Sequence, residues 1–330
     1  MTFRALLTDK TQDGAVTSSI QVLDDHELPA GDVTVDIQWA GLNYKDGLCL
    51  TGQGGLVRTY PHVAGIDFAG TVRDSGDFRY RVGDAVVLTG WRVGEAHWGG
   101  YAERARVKGD WLVPLPQALT PRQSMIIGTA GLTAMLAINR LEQLGVMPSS
   151  GEILVTGASG GVGSIAIALL HRLGYVVTAL SGRPQNGDML SALGATTILD
   201  RKEFLAQPDK PLESARFAAA IDCVGGAILG KLLRQIAYGG AVASLGNTAG
   251  IELRTNVLPF LLRGVTVAGI DSVMQPFDAR VSAWERLATL FEFDAYESNV
   301  GEVGLAELLE KAQQILRGEI KGRVLVDPSR

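Results

Sequence analysis

The 330-residue chain exceeds the ~100–200 residues of one domain, so two domains are expected. It is 46% hydrophobic and 20% charged, and a net charge of −5 without Lys/Arg runs argues against nucleic acid as the main partner. Residues 1–10 lack the long apolar core of a signal peptide, and no apolar run reaches the ~18 residues that span a bilayer. Two cysteines in unrelated contexts, Cys49 and Cys223, read as reduced thiols, which makes the cytoplasm the expected location.

Up to about residue 121 the chain reads as mostly β. Val33, Val35, Ile37 and Trp39 alternate with polar residues, the period-2 pattern of a half-buried strand. Further short strands are expected at 65–72, 84–89 and 101–107, each punctuated by glycine. Residues 124–144 are rich in Ala, Leu and Met and lack proline, which predicts a long helix into a second domain. Strands at 152–156, 175–180, 197–199, 218–222, 241–245 and 265–268 then alternate with helical segments such as 162–173 and 189–193. Continuous apolar strands alternating with helices predict a parallel sheet covered on both faces. Helices at 279–291 and 305–317 and a strand at 323–326 follow. A six-stranded doubly wound sheet is complete without them, so this tail is expected to fold back onto the first domain. The expected division is 1–122 with 269–330 as one domain and 123–268 as the other.

The strongest local motif is Val155-Thr156-Gly157-Ala158-Ser159-Gly160-Gly161-Val162-Gly163, between a predicted strand and a predicted helix. It reads A-x-G-x-x-G, with Ala158 where the strict dinucleotide pattern has glycine. Gly160 would let the backbone approach a pyrophosphate, and Gly163 would let helix and sheet pack closely. The N–H groups that begin the helix, at Ser159 to Val162, would face the phosphates. At the end of the second strand, Ser181-Gly182-Arg183 carries no carboxylate for a ribose 2′-hydroxyl. Arg183 can instead pair with a 2′-phosphate, with Ser181 as a further donor, which favours NADPH. The competing reading of Arg183 is a solvated surface charge.

Several segments together resemble the medium-chain dehydrogenase/reductase superfamily over nearly the whole chain. They are Gly41-Leu42-Asn43-Tyr44-Lys45-Asp46, Gly65-Ile66-Asp67-Phe68-Ala69-Gly70, Val82-Gly83-Asp84, Trp98-Gly99-Gly100-Tyr101-Ala102-Glu103, Gly128-Thr129-Ala130-Gly131-Leu132-Thr133-Ala134 and the Gly157–Gly163 loop. Asn43-Tyr44-Lys45-Asp46, the 88–100 stretch, residues 107–113 and Asp271-Ser272-Val273-Met274 are most similar to the acrylyl-CoA reductases of the zinc-free, quinone oxidoreductase-like branch. The resemblance implies a mostly-β GroES-like catalytic domain beside a Rossmann domain. Asn43-Tyr44 and Ile66-Asp67 stand where zinc-dependent members carry their cysteine and histidine ligands, so no metal is expected.

The activity implied is NADPH-dependent reduction of the C=C bond of an acyl-CoA thioester, acrylyl-CoA. Such a reaction asks for a hydrogen-bond donor at the thioester carbonyl as negative charge develops there. Tyr44 is the leading candidate, because a phenol keeps its proton at neutral pH and can donate it. The alternative for Tyr44 is a packing or cofactor-amide contact. Asn43 would orient neighbouring backbone, and Asp67 has a catalytic and a structural reading. Thr129 and Thr133 are expected near nicotinamide and ribose, with helix capping the competing role for Thr129. Leu245 and Ser272 lie at carboxyl ends of predicted strands, where such sheets bind ligands. Arg323 resembles a residue near the cofactor phosphate, with a surface charge as its alternative. Arg58, Arg92, Arg104 and Lys108 are candidates for holding the phosphates of CoA. A quinone or another unsaturated carbonyl is the alternative substrate, and a non-catalytic NADPH-binding protein is the alternative class. By analogy with the superfamily, the apolar sixth strand would form a homodimer edge.

Overall fold

The computed structural model describes residues 1–330. In chain order its first elements are β1 (Thr2–Lys10), β2 (Val16–Asp24), β3 (Val33–Gly41), α1 (Tyr44–Thr51), β4 (His62–Val63), β5 (Asp67–Ser75), β6 (Ala85–Thr89), β7 (Arg104–Val107), β8 (Leu112–Pro114) and α2 (Pro121–Gln143). Then come β9 (Glu152–Thr156), α3 (Gly161–Arg172), β10 (Val176–Ser181), α4 (Gly187–Ala192), β11 (Ala195–Asp200), α5 (Arg201–Ala206), β12 (Phe217–Asp222), α6 (Gly226–Leu233), β13 (Ile236–Ser244), α7 (Leu258–Arg263) and β14 (Thr266–Gly269). The last are α8 (Phe277–Leu290), α9 (Phe293–Tyr296), β15 (Val300–Gly304), α10 (Leu308–Leu316) and β16 (Arg323–Asp327).

These elements form two compact units. The first comprises Met1–Leu132, Ser272–Thr289 and Ser298–Arg330, and the second Thr133–Asp271 with Leu290–Glu297. The chain therefore changes unit inside α2 rather than at residue 123. Residues 290–297 join the second unit because Phe291 and Tyr296 bury their rings there.

The first unit holds a seven-stranded sheet in the order β15-β16-β3-β5-β6-β8, with β7 also paired to β3, and a three-stranded sheet β2-β1-β4. Its core includes Val33, Val35, Phe68, Val86, Leu88, Tyr101 and Leu112. The alternation along β3 slips between Ile37 and Trp39, so Ala40 rather than Trp39 is fully buried. Such a bulge shifts the side-chain phase by one residue.

The second unit is a six-stranded, wholly parallel sheet in the order β11-β10-β9-β12-β13-β14. This is the doubly wound order, in which the chain reverses direction between β9 and β12 and opens a crevice at their carboxyl ends. All of β12 is buried, as its run Phe-Ala-Ala-Ala-Ile-Asp requires of a central strand.

By length and composition α2 could cross a membrane, but 78% of its apolar window is buried inside the protein, which makes it a core helix. It is also broken at Gly128, whose φ of 52° lies in the left-handed region. A Cβ at this position would lie 2.5 Å from Arg323 Nη2 and 2.9 Å from Asp67 Oδ2, so only glycine fits against that pair.

Candidate functional site

In the second unit the glycine loop joins β9 to α3 with the geometry that a pyrophosphate needs. Gly157 has φ +59°, and a Cβ on Gly163 would stand 2.5 Å from the Gly157 carbonyl oxygen. The first turn of α3 can therefore lie directly on the loop, where the N–H groups of Gly161 and Val162 have no acceptor within the helix. These orphan donors and the positive end of the helix dipole suit an anion. Ser159 and Ser181 are both buried, and their hydroxyls lie 3.2 Å apart, tying the loop to the end of β10. Ser181 Oγ also accepts from the Arg183 N–H at 3.1 Å. Ser181 thus shapes the turn in which Gly182 and Arg183 sit.

Arg183 is half-buried, and burial, then the nearby Arg201, hold its pKa below the ordinary arginine range. Arg201 begins α5 after β11, the strand paired with β10. A Cβ on Gly182 would meet the Arg201 guanidinium carbon at 2.7 Å, so that second cation lies over the Ser181–Arg183 turn. Two cations sharing one strand end repel each other, and an anion between them relieves the repulsion. The loop, the orphan N–H groups and this pair fit a dinucleotide carrying a 2′-phosphate. Arg201 was not among the expected residues; a basic residue just past the third strand was its one sequence signal.

The crevice end of the sheet is fixed by Asp222 at the tip of β12. Thr156 Oγ1 donates to Asp222 Oδ1 at 2.7 Å, the Gly225 N–H donates to Oδ2 at 2.9 Å, and the Cys223 N–H donates to Thr156 Oγ1 at 2.9 Å. Burial raises the Asp222 pKa. The Leu245 N–H donates to the Asp222 carbonyl, so Leu245 is carried at the end of β13 as expected. A cavity of about 260 Å³ opens here, lined by residues including Gly225, Ser244, Gly246, Asn247 and Leu253. Thr133 is buried within α2.

In the first unit, Asn43, Asp67, Thr129 and Arg323 meet in one buried network. Asp67 is 0% exposed and Arg323 3%, with Arg323 Nη2 at 3.9 Å from Asp67 Oδ2. Asp67 also accepts from the Gly41 N–H at 3.1 Å and the Thr129 N–H at 2.7 Å. Arg323 donates to the carbonyls of Ile126, Met125 and Leu42 and to Asn43 Oδ1. Its guanidinium thus has four acceptors within the chain itself. Asp67 likewise joins β3, β5 and the kink of α2.

Tyr44 is the first residue of α1 and is 38% exposed. The residue two places on, Asp46, is fully buried and accepts from the Asn43 and Ile66 N–H groups, both at 2.8 Å. Burial and the neighbouring Asp67 push its pKa up to about 7 despite these two donors. Together they fix the start of α1 and so the direction in which Tyr44 leaves the backbone. The carbonyl of Ser272 is held by Arg280, which is 1% exposed. Arg280 also donates to Gln275 O, Val273 O, Thr89 O and Thr89 Oγ1, and its guanidinium lies 4.9 Å from the Trp91 ring centre. Trp91 and Arg92 both have positive φ, 55° and 58°, a strained pair that this clamp supports.

Of the candidate CoA-binding cations, Arg58, Arg92 and Lys108 are exposed. Arg104 is not available. It is buried and paired with Asp25 and Asp36, because its strand β7 packs it beneath them. No group of three His, Cys, Asp or Glu side chains is arranged to hold a metal ion.

The chain matches the alcohol dehydrogenase GroES-like domain over residues 29–117 and the zinc-binding dehydrogenase family over residues 161–291. It is 52% identical over 326 residues to acrylyl-CoA reductase AcuI of Ruegeria pomeroyi, covering 98% of this chain and 99% of that protein. Among solved structures it superimposes on the yhdH oxidoreductase from Salmonella enterica in complex with NADP, with a TM-score of 0.95, 51% identity and 99% coverage of both chains. Bacillus subtilis yhfP with NAD bound is also similar, with a TM-score of 0.95, 42% identity and 99% coverage of both chains. With both domains matched and full-length identity above half, the chain belongs to the medium-chain dehydrogenase/reductase superfamily, in the quinone oxidoreductase-like group that contains acrylyl-CoA reductase AcuI.

Proposed function

We propose that this protein is an NADPH-dependent reductase of the C=C bond of acrylyl-CoA, with propionyl-CoA as product. The observation that carries the substrate is the 52% identity, over 98% of the chain, to a protein named for that activity. The Arg183–Arg201 pair supports the choice of the 2′-phosphorylated cofactor. Bound NADPH would supply a hydride for the β-carbon of the conjugated thioester, and a proton from solvent would complete the α-carbon.

The chain's own groups then have three tasks. The N–H groups of Gly161 and Val162 hold the pyrophosphate, while Arg183 and Arg201 hold the 2′-phosphate. Tyr44, projected from the start of α1, donates a hydrogen bond to the thioester oxygen as charge gathers there. Arg280 fixes the Ser272 loop, which would meet the nicotinamide amide. The exposed cations Arg58, Arg92 and Lys108 remain the candidates for CoA phosphates. The homodimer expected through β14 is supported by the edge position of that strand and by the exposed side chains of Leu261, Leu262 and Val267.

The test is a panel in which NADPH absorbance is followed with acrylyl-CoA, a quinone or no acceptor, each with and without EDTA. The proposal expects turnover of acrylyl-CoA that EDTA leaves unchanged. Turnover of the quinone alone would replace the substrate, and absence of any turnover would leave only a cofactor-binding protein.

A further inference from the structure

The segment Leu290–Glu297 leaves the first unit, packs into the second, and returns. It carries Tyr296, whose ring is 1% exposed and lies 5.2 Å from that of Phe291. The Tyr296 hydroxyl is 2.6 Å from Ser164 Oγ, and Ser164 is itself 0% exposed in the first turn of α3. Ser164 Oγ donates to the Gly160 carbonyl at 2.7 Å and lies 3.3 Å from that of Gly161. A carbonyl only accepts and serine has one hydroxyl proton, so Tyr296 must be the donor to Ser164. The relay runs from the Tyr296 O–H to Ser164 Oγ and from the Ser164 O–H to the Gly160 oxygen.

The end of that relay is the cofactor loop. A peptide unit is planar, so fixing the Gly160 carbonyl fixes the direction of the Gly161 N–H on the same plane. That N–H is a helix-start donor with no acceptor in α3. The Gly160 carbonyl also accepts the Ser164 N–H at 3.0 Å, so Ser164 holds this plane with both its backbone and its side chain. We infer that Tyr296 is a positioning residue for the cofactor pyrophosphate, aiming the Gly161 N–H through Ser164. This rests on the proposed binding of NADPH at the loop.

The experiment compares the full-length protein with Tyr296→Phe, Ser164→Ala and the double variant. NADPH affinity is measured by fluorescence titration, adenosine 2′-monophosphate affinity by competition, and stability by thermal melting. Tyr296→Phe keeps the ring and removes only the hydroxyl, so it should weaken NADPH about three- to tenfold, the range of one net hydrogen bond. Adenosine 2′-monophosphate has no 5′-phosphate and should bind all the variants like the wild type. The Tyr296→Phe effect should vanish when Ser164 is already alanine. Unchanged NADPH affinity in Tyr296→Phe, with or without a lower melting temperature, overturns the inference, as do equal losses for both ligands. A wild-type protein that does not bind NADPH would instead remove the functional reading and this inference with it.

Discussion

Replacing Arg323 by methionine separates a structural role from a cofactor role for this residue. The substitution keeps most of the stem volume and deletes a guanidinium that is 3% exposed. Asp67, 0% exposed, would then be left with only the Gly41 and Thr129 N–H groups as donors. Removing one member of a buried pair costs about 3–5 kcal/mol, chiefly because the other charge is stranded. The 3.9 Å separation makes the direct attraction modest, but the carbonyls of Ile126, Met125 and Leu42 also lose their donor. We therefore expect a loss within that range. All five tryptophans, Trp39, Trp91, Trp98, Trp111 and Trp284, lie in the first unit, so their fluorescence during urea denaturation reports on that unit. Arg323→Met should lower its urea midpoint strongly and leave NADPH affinity of the folded protein unchanged. Adding Asp67→Asn should cost less than the sum of the two single changes. An unchanged midpoint together with much weaker NADPH binding would refute the structural reading and restore Arg323 to the cofactor.

The remaining predictions concern cofactor choice, the donor and pH. Arg183→Ala and Arg201→Ala should each weaken NADPH by about 1.5–3 kcal/mol while barely changing NADH, as titration of both cofactors would measure; equal losses for the two would count against the 2′-phosphate assignment. Tyr44→Phe should lower kcat by roughly 10²-fold while leaving NADPH affinity intact, whereas a packing role would reverse that pattern. Asp46 has a folded pKa of about 7 against 3.8 ordinarily, so between these values the folded protein holds a proton that the unfolded chain lacks. Its contribution therefore makes stability fall as pH rises from about 4 to 7. Asp46→Asn should remove that part of the slope, and parallel urea midpoints for variant and wild type at pH 5 and pH 8 would contradict this.

The second unit was the more legible in the sequence. All six of its strands form, and the inner ones, β9, β10, β12 and β13, were legible as apolar runs because a central parallel strand must be apolar on both faces. The first unit was harder to read. The hairpin β1–β2 escaped notice because most of β2 is exposed and shows no clean alternation. Helix α1 is eight residues long and holds only a few apolar positions, too few to register a period. The glycine loop and Ser181–Arg183 could be found locally because each acts through consecutive residues. Arg201, Arg280 and Tyr296 were harder to find, since each reaches beyond its own element, to Gly182, Thr89 and Ser164. The same distance explains Arg323: its partner Asp67 and its carbonyl acceptors come together only through the pairing of β16 with β3 and the kink at Gly128.

The most direct test of the central claim follows the hydride itself. Acrylyl-CoA is incubated with the enzyme and NADPH carrying deuterium at the transferable position of the nicotinamide, and the acyl-CoA product is examined by mass spectrometry and NMR. The account predicts propionyl-CoA with one deuterium on the β-carbon, formed in step with NADPH oxidation. Absence of propionyl-CoA, or deuterium found anywhere other than the β-carbon, would contradict it.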